Sequence, residues 1–246
     1  KTVKYAGNWD PKSKQPLSYR VQKWIISNTF LTKNCKVLVY GKWKNQTKNI
    51  VPFFTASYTK REITVSENKN LSKKIHCIFV GAFTKGKQPI LSVKVIENML
   101  KENIDIELNM FGDGEEFNNV KTYIASKKLE GNVFLHGNQS KEIVKKAFKK
   151  SHFLLFISKS EGWPKVVAEA MFWSCLPIST KVSCVPFMLG NGERGSVIQS
   201  STTQIVLELE KYFTKESIYT KKVGKAKDWS QQFTLEKFEK EIKKLL

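Results

Sequence analysis

Two glutamates that lie eight residues apart, Glu161 and Glu169, flank the start of a predicted helix. They belong to the stretch 153–180, FLLFISKSEGWPKVVAEAMFWSCLPIST. The apolar run Phe153–Ile157 is typical of a strand buried on both faces, and Pro164 suits the first position of a helix. A helix that begins at the carboxyl edge of a parallel sheet presents backbone N–H groups and a positive dipole end. This arrangement predicts a site for an anion such as a diphosphate.

Each glutamate also has a simpler interpretation. Glu161 could complement the dipole of the helix that follows it, which is a common arrangement. Glu169 could face solvent, although its neighbours Ala168, Ala170 and Met171 are apolar and a charge among them needs a partner. Neither residue alone decides between structure and chemistry.

The complete string is more specific. EGWPKVVAEAM followed by LPIST resembles the signature of the retaining nucleotide-sugar glycosyltransferases of family 4, also called group 1. The resemblance implies a GT-B fold, in which two Rossmann-like domains face each other across a cleft, and it places the signature in the C-terminal, donor-binding domain. It extends from about Lys36 onward and is strongest over Ile75–Val197.

Composition indicates a folded protein of 246 residues, with 41% hydrophobic residues and six tryptophans. No apolar run approaches the roughly 18 residues that a membrane span needs. The four cysteines, Cys35, Cys77, Cys175 and Cys184, form no C-x-x-C pair, so we expect buried, reduced thiols and a cytoplasmic protein. The three histidines are widely spaced, and no metal site is predicted.

The net charge of +20 suggests an anionic partner. A lysine-rich surface without a specific partner is the simpler alternative. No nucleic-acid recognition motif accompanies the lysines, so nucleic acid is not expected. Peripheral contact with the anionic inner face of a membrane stays open.

Three segments are predicted. Residues 1–60 resemble a remnant of the family's N-terminal, acceptor-side domain, residues 61–230 form the donor-binding domain, and residues 231–246 form a helix that crosses back to the N-terminal domain. From Ile75 onward, strand and helix patterns alternate four times, which predicts an α/β fold with a Rossmann-like, doubly wound parallel sheet. The polar stretch Thr59–Lys74 is taken as the linker.

Periodicity also predicts which helix faces are buried. A helix over Leu17–Thr32 would direct one apolar set into the core, and a helix over Ser140–Lys150 would direct another set against the sheet. The two sets are Val21, Trp24, Ile25 and Leu31 in the first helix, and Ile143, Val144 and Ala147 in the second.

Four loops should meet at the carboxyl edge of the sheet, where open α/β folds bind ligands. They are Gly81–Lys87, Gly112–Gly114, His136–Asn138 and Ser158–Lys165. With the resemblance, these loops and the signature helix give Glu161 as the candidate catalytic residue. The candidate donor-binding residues are Gly81, Lys85, Lys87, Gly112, His136, Gly137, Gly162, Trp163, Pro164, Lys165, Val166 and Glu169.

The resemblance also assigns roles. Lys87 matches the lysine that holds the donor diphosphate, whereas Ala82 stands where the family has an arginine, for which Lys85 could substitute. Glu161 matches the glutamate placed against the donor sugar, and Glu169 matches the one that accepts hydrogen bonds from the ribose hydroxyls.

Backbone groups have matching roles. Val133–Gly137 matches the segment that reads the base, and the N–H groups near Trp163–Val166 would face sugar and phosphates. Ser174 stands where a helix-ending glycine is usual.

The predicted function is transfer of a hexose from a nucleotide-sugar to a glycan or lipid-linked acceptor in polysaccharide biosynthesis, with retention. A helix N-terminus and lysines can stabilise the leaving diphosphate, and no D-x-D motif is present, so no metal or other cofactor is expected. The alternative is a non-catalytic nucleotide- or polyanion-binding α/β module. An NAD-dependent dehydrogenase is disfavoured because G-x-G-x-x-G is absent after the first strand of the alternating region. The family's acceptor-side catalytic residues have no counterpart here, so we expect no turnover by this chain alone.

Overall fold

The protein is described by a computed structural model that covers residues 1–63 and 69–245. Part of the predicted linker therefore lies outside the described residues. The strands are β1 Thr2–Lys4, β2 Lys36–Tyr40, β3 Ile50–Phe53, β4 Ile75–Val80, β5 Ile106–Phe111, β6 Val133–Leu135, β7 Phe153–Phe156, β8 Leu176–Thr180 and β9 Ser196–Ile198. The helices are α1 Leu17–Ser27, α2 Pro89–Lys101, α3 Phe117–Ser126, α4 Lys141–Lys150, α5 Lys165–Phe172, α6 Val185–Met188, α7 Thr202–Thr214, α8 Glu216–Ser230 and α9 Leu235–Lys243.

The larger sheet has six strands in the order β6-β5-β4-β7-β8-β9, and every neighbouring pair is parallel. The chain first builds outward from β4 in one direction, then returns to place β7 on the other side of β4. This confirms the doubly wound sheet. The order reverses between β4 and β7, and such a switch point opens a crevice at the carboxyl ends of the two strands.

Burial of both sheet faces explains the apolar strands. All four residues of β7 are buried, and α2 contributes Val93, Ile96 and Met99 without measurable exposure. In α4, however, the predicted core residue Ile143 is exposed, and Phe148 is the residue of that helix that is fully buried. The periodicity predicted the helix correctly, but the buried face of this short, lysine-rich helix includes Phe148 rather than Ile143.

The first part of the chain forms a three-stranded parallel sheet, β1-β2-β3, with α1 beside it. The predicted core face of α1 is wrong, because Val21, Trp24, Ile25 and Leu31 are all exposed. Ile26 contacts the small core cluster of this sheet instead.

The end of α1 has a local cause. The helix ends at Ser27 rather than Thr32, because the Asn28 side chain accepts hydrogen bonds from the N–H groups of Phe30 and Leu31. Such Asx turns compete with helix continuation.

Helix α9 lies against the first part of the chain. Phe238 packs edge-on against Phe53 at 5.5 Å and Phe54 at 5.9 Å between ring centroids. The Lys60 N–H donates to a carboxylate oxygen of Glu236 at 2.9 Å. None of the helices among residues 1–63 and 69–245 has both the length and the apolar content needed to traverse a bilayer.

One ammonium group joins the C-terminal ends of α4 and α5. Lys69 Nζ lies 2.6–3.1 Å from four carbonyl oxygens, those of Phe148 in the last turn of α4, Ser151 just after it, and Trp173 and Ser174 just after α5. Its three N–H groups share these four acceptors. Ser174 has a φ of 58°, the left-handed conformation expected where a helix-ending glycine is usual. Burial lowers the pKa of Lys69 to about 8.

His152, which precedes β7, is a buried histidine held in one tautomer. Its Nδ1 accepts from the His76 N–H at 3.0 Å, so Nε2 bears the proton and donates to Asn70 O at 3.2 Å. Burial, with the nearby Lys69 charge as a second cause, lowers the pKa of His152 to about 4.

We therefore expect acid to destabilise the fold through His152. The unfolded histidine binds a proton near pH 6.5 and the folded one only near pH 4. The contribution of neutral His152 to the free energy of unfolding is fully present above pH 6.5 and is lost as the pH falls toward 4. At pH 5 the loss is roughly 2 kcal/mol. Urea unfolding at pH 7.5 and pH 5 measures this difference.

His152→Asn, whose amide oxygen can replace Nδ1 as an acceptor, should remove most of the difference. His136→Asn is the matched control, since the His136 imidazole is exposed. An unchanged pH dependence in His152→Asn would contradict the assignment.

Candidate active site

The loops after β4 and β7 flank the switch-point crevice and are joined directly. The Lys159 N–H donates to Gly86 O at 2.9 Å. Lys87 is oriented by a tight turn, in which its own N–H donates to Thr84 O at 3.0 Å. These backbone contacts place the Lys87 side chain over the crevice.

Lys87 and Glu161 form an ion pair across the crevice, from Nζ to Oε1. The Glu161 side chain is 10% exposed and that of Lys87 is 26% exposed, so the pair is shielded yet reachable. Lys87 Nζ also lies 5.2 Å from the centroid of the Phe156 ring, at the end of β7. The two residues that were assigned to diphosphate and sugar from sequence are thus brought together.

The glycines at the strand ends allow close backbone approach. A Cβ at Gly112 would lie 2.0 Å from Gly81 O, and the φ of Gly112 is +129°. The Gly112 N–H donates to Gly137 O at 2.8 Å. The residues that follow β4, β5 and β6 are therefore in backbone-to-backbone contact at this edge of the sheet.

Gly162 brings the first part of the chain to the same crevice. A Cβ there would lie 2.6 Å from Ala6 O, in the loop after β1. The next residue, Trp163, packs its ring on Tyr40 at the end of β2, with 5.2 Å between centroids. The carboxyl ends of β1 and β2 thus form a second wall opposite the signature loop.

The helix start differs in part from the expectation. Pro164 is the N-cap residue rather than the first helical residue, and α5 begins at Lys165. The Lys165 N–H donates to Trp163 O at 2.9 Å, so it is engaged within the loop. The expectation that the N–H groups near Trp163–Val166 face a ligand is therefore wrong for Lys165, because the tight turn uses this donor.

Helix α5 also places Glu169 in a pocket of its own. Its Oε1 accepts from Ser57 Oγ at 2.5 Å. The pocket lies between α5 and the segment Thr55–Tyr58, and Trp163, Ser230 and Phe233 also line it. Burial raises the pKa of Tyr58, and the Glu169 charge adds to this effect.

At the end of β6, the exposed imidazole of His136 has a fixed orientation. It stacks on Phe111 at 4.5 Å with an interplanar angle of 14°. Its Nε2 lies 2.7 Å from Asn109 Oδ1, an acceptor, so Nε2 carries the proton. The exposed ring face is a platform on which a planar ligand group could stack.

Lys85 and Ala82, by contrast, are both exposed in the loop after β4. The Lys85 N–H lies 3.5 Å from a carboxylate oxygen of Glu115. Unlike Lys87, Lys85 does not pair with Glu161.

Several site neighbours were not found by sequence reasoning. Ser57, Asn109, Phe111 and Tyr40 lie beside candidate residues only through long-range folding. Asn109 and Phe111 alternate along β5 and precede a glycine, a pattern that points to the strand end but not to His136. No local pattern singles out Ser57, which lies four residues beyond the end of β3 at Phe53.

Comparison with known protein families identifies the family of the chain. The family model described as "Glycosyl transferases group 1" matches residues 60–231, which is more than half of the chain. The chain belongs to this family. Its signature predicted this membership.

Curated relatives are distant but consistent. An uncharacterized glycosyltransferase of Methanocaldococcus jannaschii is 26% identical over 161 residues, which are 65% of this chain and 44% of that protein. The poly(glycerol-phosphate) alpha-glucosyltransferase of Bacillus subtilis is 29% identical over 131 residues, 52% of this chain and 19% of that protein. The group 1 chain described here thus spans less than half the length of these relatives.

The fold extends this likeness to solved structures. A crystal structure of a mutant form of Staphylococcus aureus TarM, in complex with fondaparinux, alpha-GlcNAc-glycerol and UDP, has a TM-score of 0.74 and 16% identity. The match covers 99% of this chain and 50% of that one. At this identity the likeness establishes the GT-B fold.

The close approach at Gly112 yields a prediction for the group 1 chain. In Gly112→Ala, the added Cβ would meet a backbone oxygen, and φ would stay in the left-handed region. We expect the free energy of unfolding to fall by about 1–3 kcal/mol, as measured by urea denaturation.

Gly131→Ala is the matched control, since no heavy atom lies within 4 Å of its added Cβ. Equal unfolding midpoints for the two variants would show that the edge relaxes and that the glycine is not needed.

Proposed function

We propose that this chain supplies the donor-binding half of a retaining glycosyltransferase. The enzyme would move a hexose from a UDP-sugar to a glycan or lipid-linked acceptor in polysaccharide biosynthesis. The observation that supports this most strongly is the Lys87–Glu161 pair in the switch-point crevice. UDP is the nucleotide of choice because the structurally similar TarM complex contains it.

The pair suits glycosyl transfer because its two members would serve different parts of the donor. As the bond between the anomeric carbon and the diphosphate breaks, negative charge develops on the leaving oxygen, and the Lys87 ammonium would stabilise it. Glu161, released from Lys87, would accept hydrogen bonds from sugar hydroxyls. The acceptor oxygen bonds to the anomeric carbon and its proton passes to the leaving phosphate.

The carboxylates also weigh against the alternative function. A module that binds only polyanions gains nothing from Glu161 and Glu169 beside its cationic groups, since both carboxylates repel the ligand. A donor with sugar and ribose hydroxyls needs such acceptors. We propose that a lysine and the helix start stabilise the diphosphate without a metal, so UDP affinity should be unchanged by a chelator.

The positive charge of the first part of the chain suggests which kind of acceptor or surface it contacts. Residues 1–59 contain eleven Lys and Arg residues and one acidic residue, Asp10. This charge would favour an anionic acceptor or the anionic inner face of a membrane. We therefore keep a cytoplasmic location with peripheral membrane contact as part of the proposal.

Lys87→Ala tests the diphosphate role. We expect UDP to bind roughly 10- to 100-fold more weakly, through the loss of one charge-assisted contact, whereas uridine, which has no phosphates, should bind as it does to the parent. Isothermal calorimetry with UDP and uridine measures both. Ala82→Arg in the Lys87→Ala background should recover part of the loss by supplying a forked phosphate donor.

Lys121→Ala, at an exposed position of α3, controls for the loss of one positive charge. If Lys121→Ala weakens UDP binding as much as Lys87→Ala does, the lysines act as a diffuse cationic surface. That result would favour the alternative function, a non-catalytic nucleotide- or polyanion-binding module.

Glu169→Gln tests the ribose role. The amide keeps the shape of the side chain but loses its charge, so UDP affinity should fall by about 1.5–3 kcal/mol if ribose hydroxyls donate to this group. The analogue 2′,3′-dideoxy-UDP, which lacks both ribose hydroxyls, should bind parent and variant alike. The control is Glu130→Gln, at an exposed position. A Glu169→Gln chain that binds UDP unchanged would remove Glu169 from the site.

A further inference from the structure

Glu169 is held by a residue from the other part of the chain. Ser57 Oγ donates to Glu169 Oε1 at 2.5 Å, although the two residues are separated by 112 positions. The segment Thr55–Tyr58 follows β3 and passes along α5, where it lines the pocket that contains the Glu169 carboxylate. The contact therefore couples the segment after the first sheet to the signature helix.

Ser57 is itself fixed from several sides. Lys141 Nζ, at the start of α4, donates to Ser57 O and lies 4.9 Å over the Tyr58 ring. Tyr58 is buried and packs against Phe172 at 4.9 Å between ring centroids.

The other anchor is a backbone contact. The Leu235 N–H, at the start of α9, donates to Tyr58 O at 2.9 Å. Three helices thus hold the serine in place before any ligand arrives.

We propose that Ser57 is a positioning residue for Glu169, which orients the carboxylate so that its second oxygen meets the ribose of the donor. A glutamate has three side-chain torsions, and a fixed hydroxyl on Oε1 restricts them at the cost of one acceptor site. The carboxylate retains Oε2 and further lone pairs for ribose hydroxyls. This inference rests on the proposed function of Glu169.

The alternative effect is competition, in which the Ser57 hydroxyl and the ribose bind the same oxygen of Glu169. The geometry favours positioning. The contact uses one oxygen of two, and a hydroxyl that donates to Glu169 can still accept a hydrogen bond from a ligand. The two effects differ in sign, since competition predicts tighter binding once the hydroxyl is removed.

The test compares Ser57→Ala with Ser57→Thr, which keeps the hydroxyl. UDP and 2′,3′-dideoxy-UDP are titrated by calorimetry, and thermal unfolding of each free variant is recorded. We expect Ser57→Ala to bind UDP about 3- to 10-fold more weakly and dideoxy-UDP as the parent does. Ser57→Thr should restore the UDP affinity. If the role of Ser57 were purely structural, Ser57→Ala would weaken the binding of UDP and of dideoxy-UDP alike.

The outcomes separate this inference from the function on which it rests. One outcome is that the parent prefers UDP over dideoxy-UDP, that Glu169→Gln loses this preference and that Ser57→Ala retains it. In that case Ser57 has no positioning role, and the proposed function stands. Tighter UDP binding by Ser57→Ala likewise overturns positioning in favour of competition. If the parent itself shows no preference for the ribose hydroxyls, the role of Glu169 fails together with that of Ser57.

Discussion

The parallel pairing of β4 with β7 is the contact on which the candidate site depends. Residues Cys77 and Ile78 of β4 align with Phe153 and Leu154 of β7, although one helix and two complete strand–helix units separate the strands along the chain. Because both strands run the same way, their following loops emerge side by side. That adjacency brings Lys87 within reach of Glu161, as the predicted meeting of these two loops at the carboxyl edge of the sheet implied.

Close backbone approach is the second constraint on the site. Gly112 lies against Gly81 at the edge of the six-stranded sheet, and Gly162 lies against Ala6 in the loop after β1. At each position an added Cβ would meet a backbone oxygen, so glycine permits this close approach. The partial burial of Lys87 and Glu161 beside these loops strengthens their interaction with each other and with a charged ligand.

The sequence was sufficient to predict the fold of the six-stranded sheet and its helices, because strong local patterns agreed there with the global arrangement. The run Phe153–Ile157 and the glycine after β4 predicted strand and loop correctly, and Ser174 has the conformation that its position implied. The prediction failed for α1, where an apolar period over Leu17–Thr32 was interpreted as a core face. Periodicity states which residues share a face, whereas burial depends on what packs against that face. The Ser57–Glu169 contact was out of reach for a related reason: a hydroxyl and a carboxylate 112 residues apart leave no local trace.

Helices α4 and α5 run between the two edges of the six-stranded sheet and carry opposite partial charges at their two ends. The C-terminal carbonyls of both helices converge on Lys69, while the start of α5 lies beside the crevice and the start of α4 beside Ser57. Burial lowers the pKa of Lys69 to about 8, so folding disfavours the charged form of this lysine relative to the neutral form, and stability rises with pH between about 8 and the ordinary value of 10.5. The Lys69 ammonium contacts four carbonyl groups at the negative ends of both helices. The parallel strand–helix topology directs the positive ends of these helices to the opposite edge of the sheet, where an anionic donor would bind.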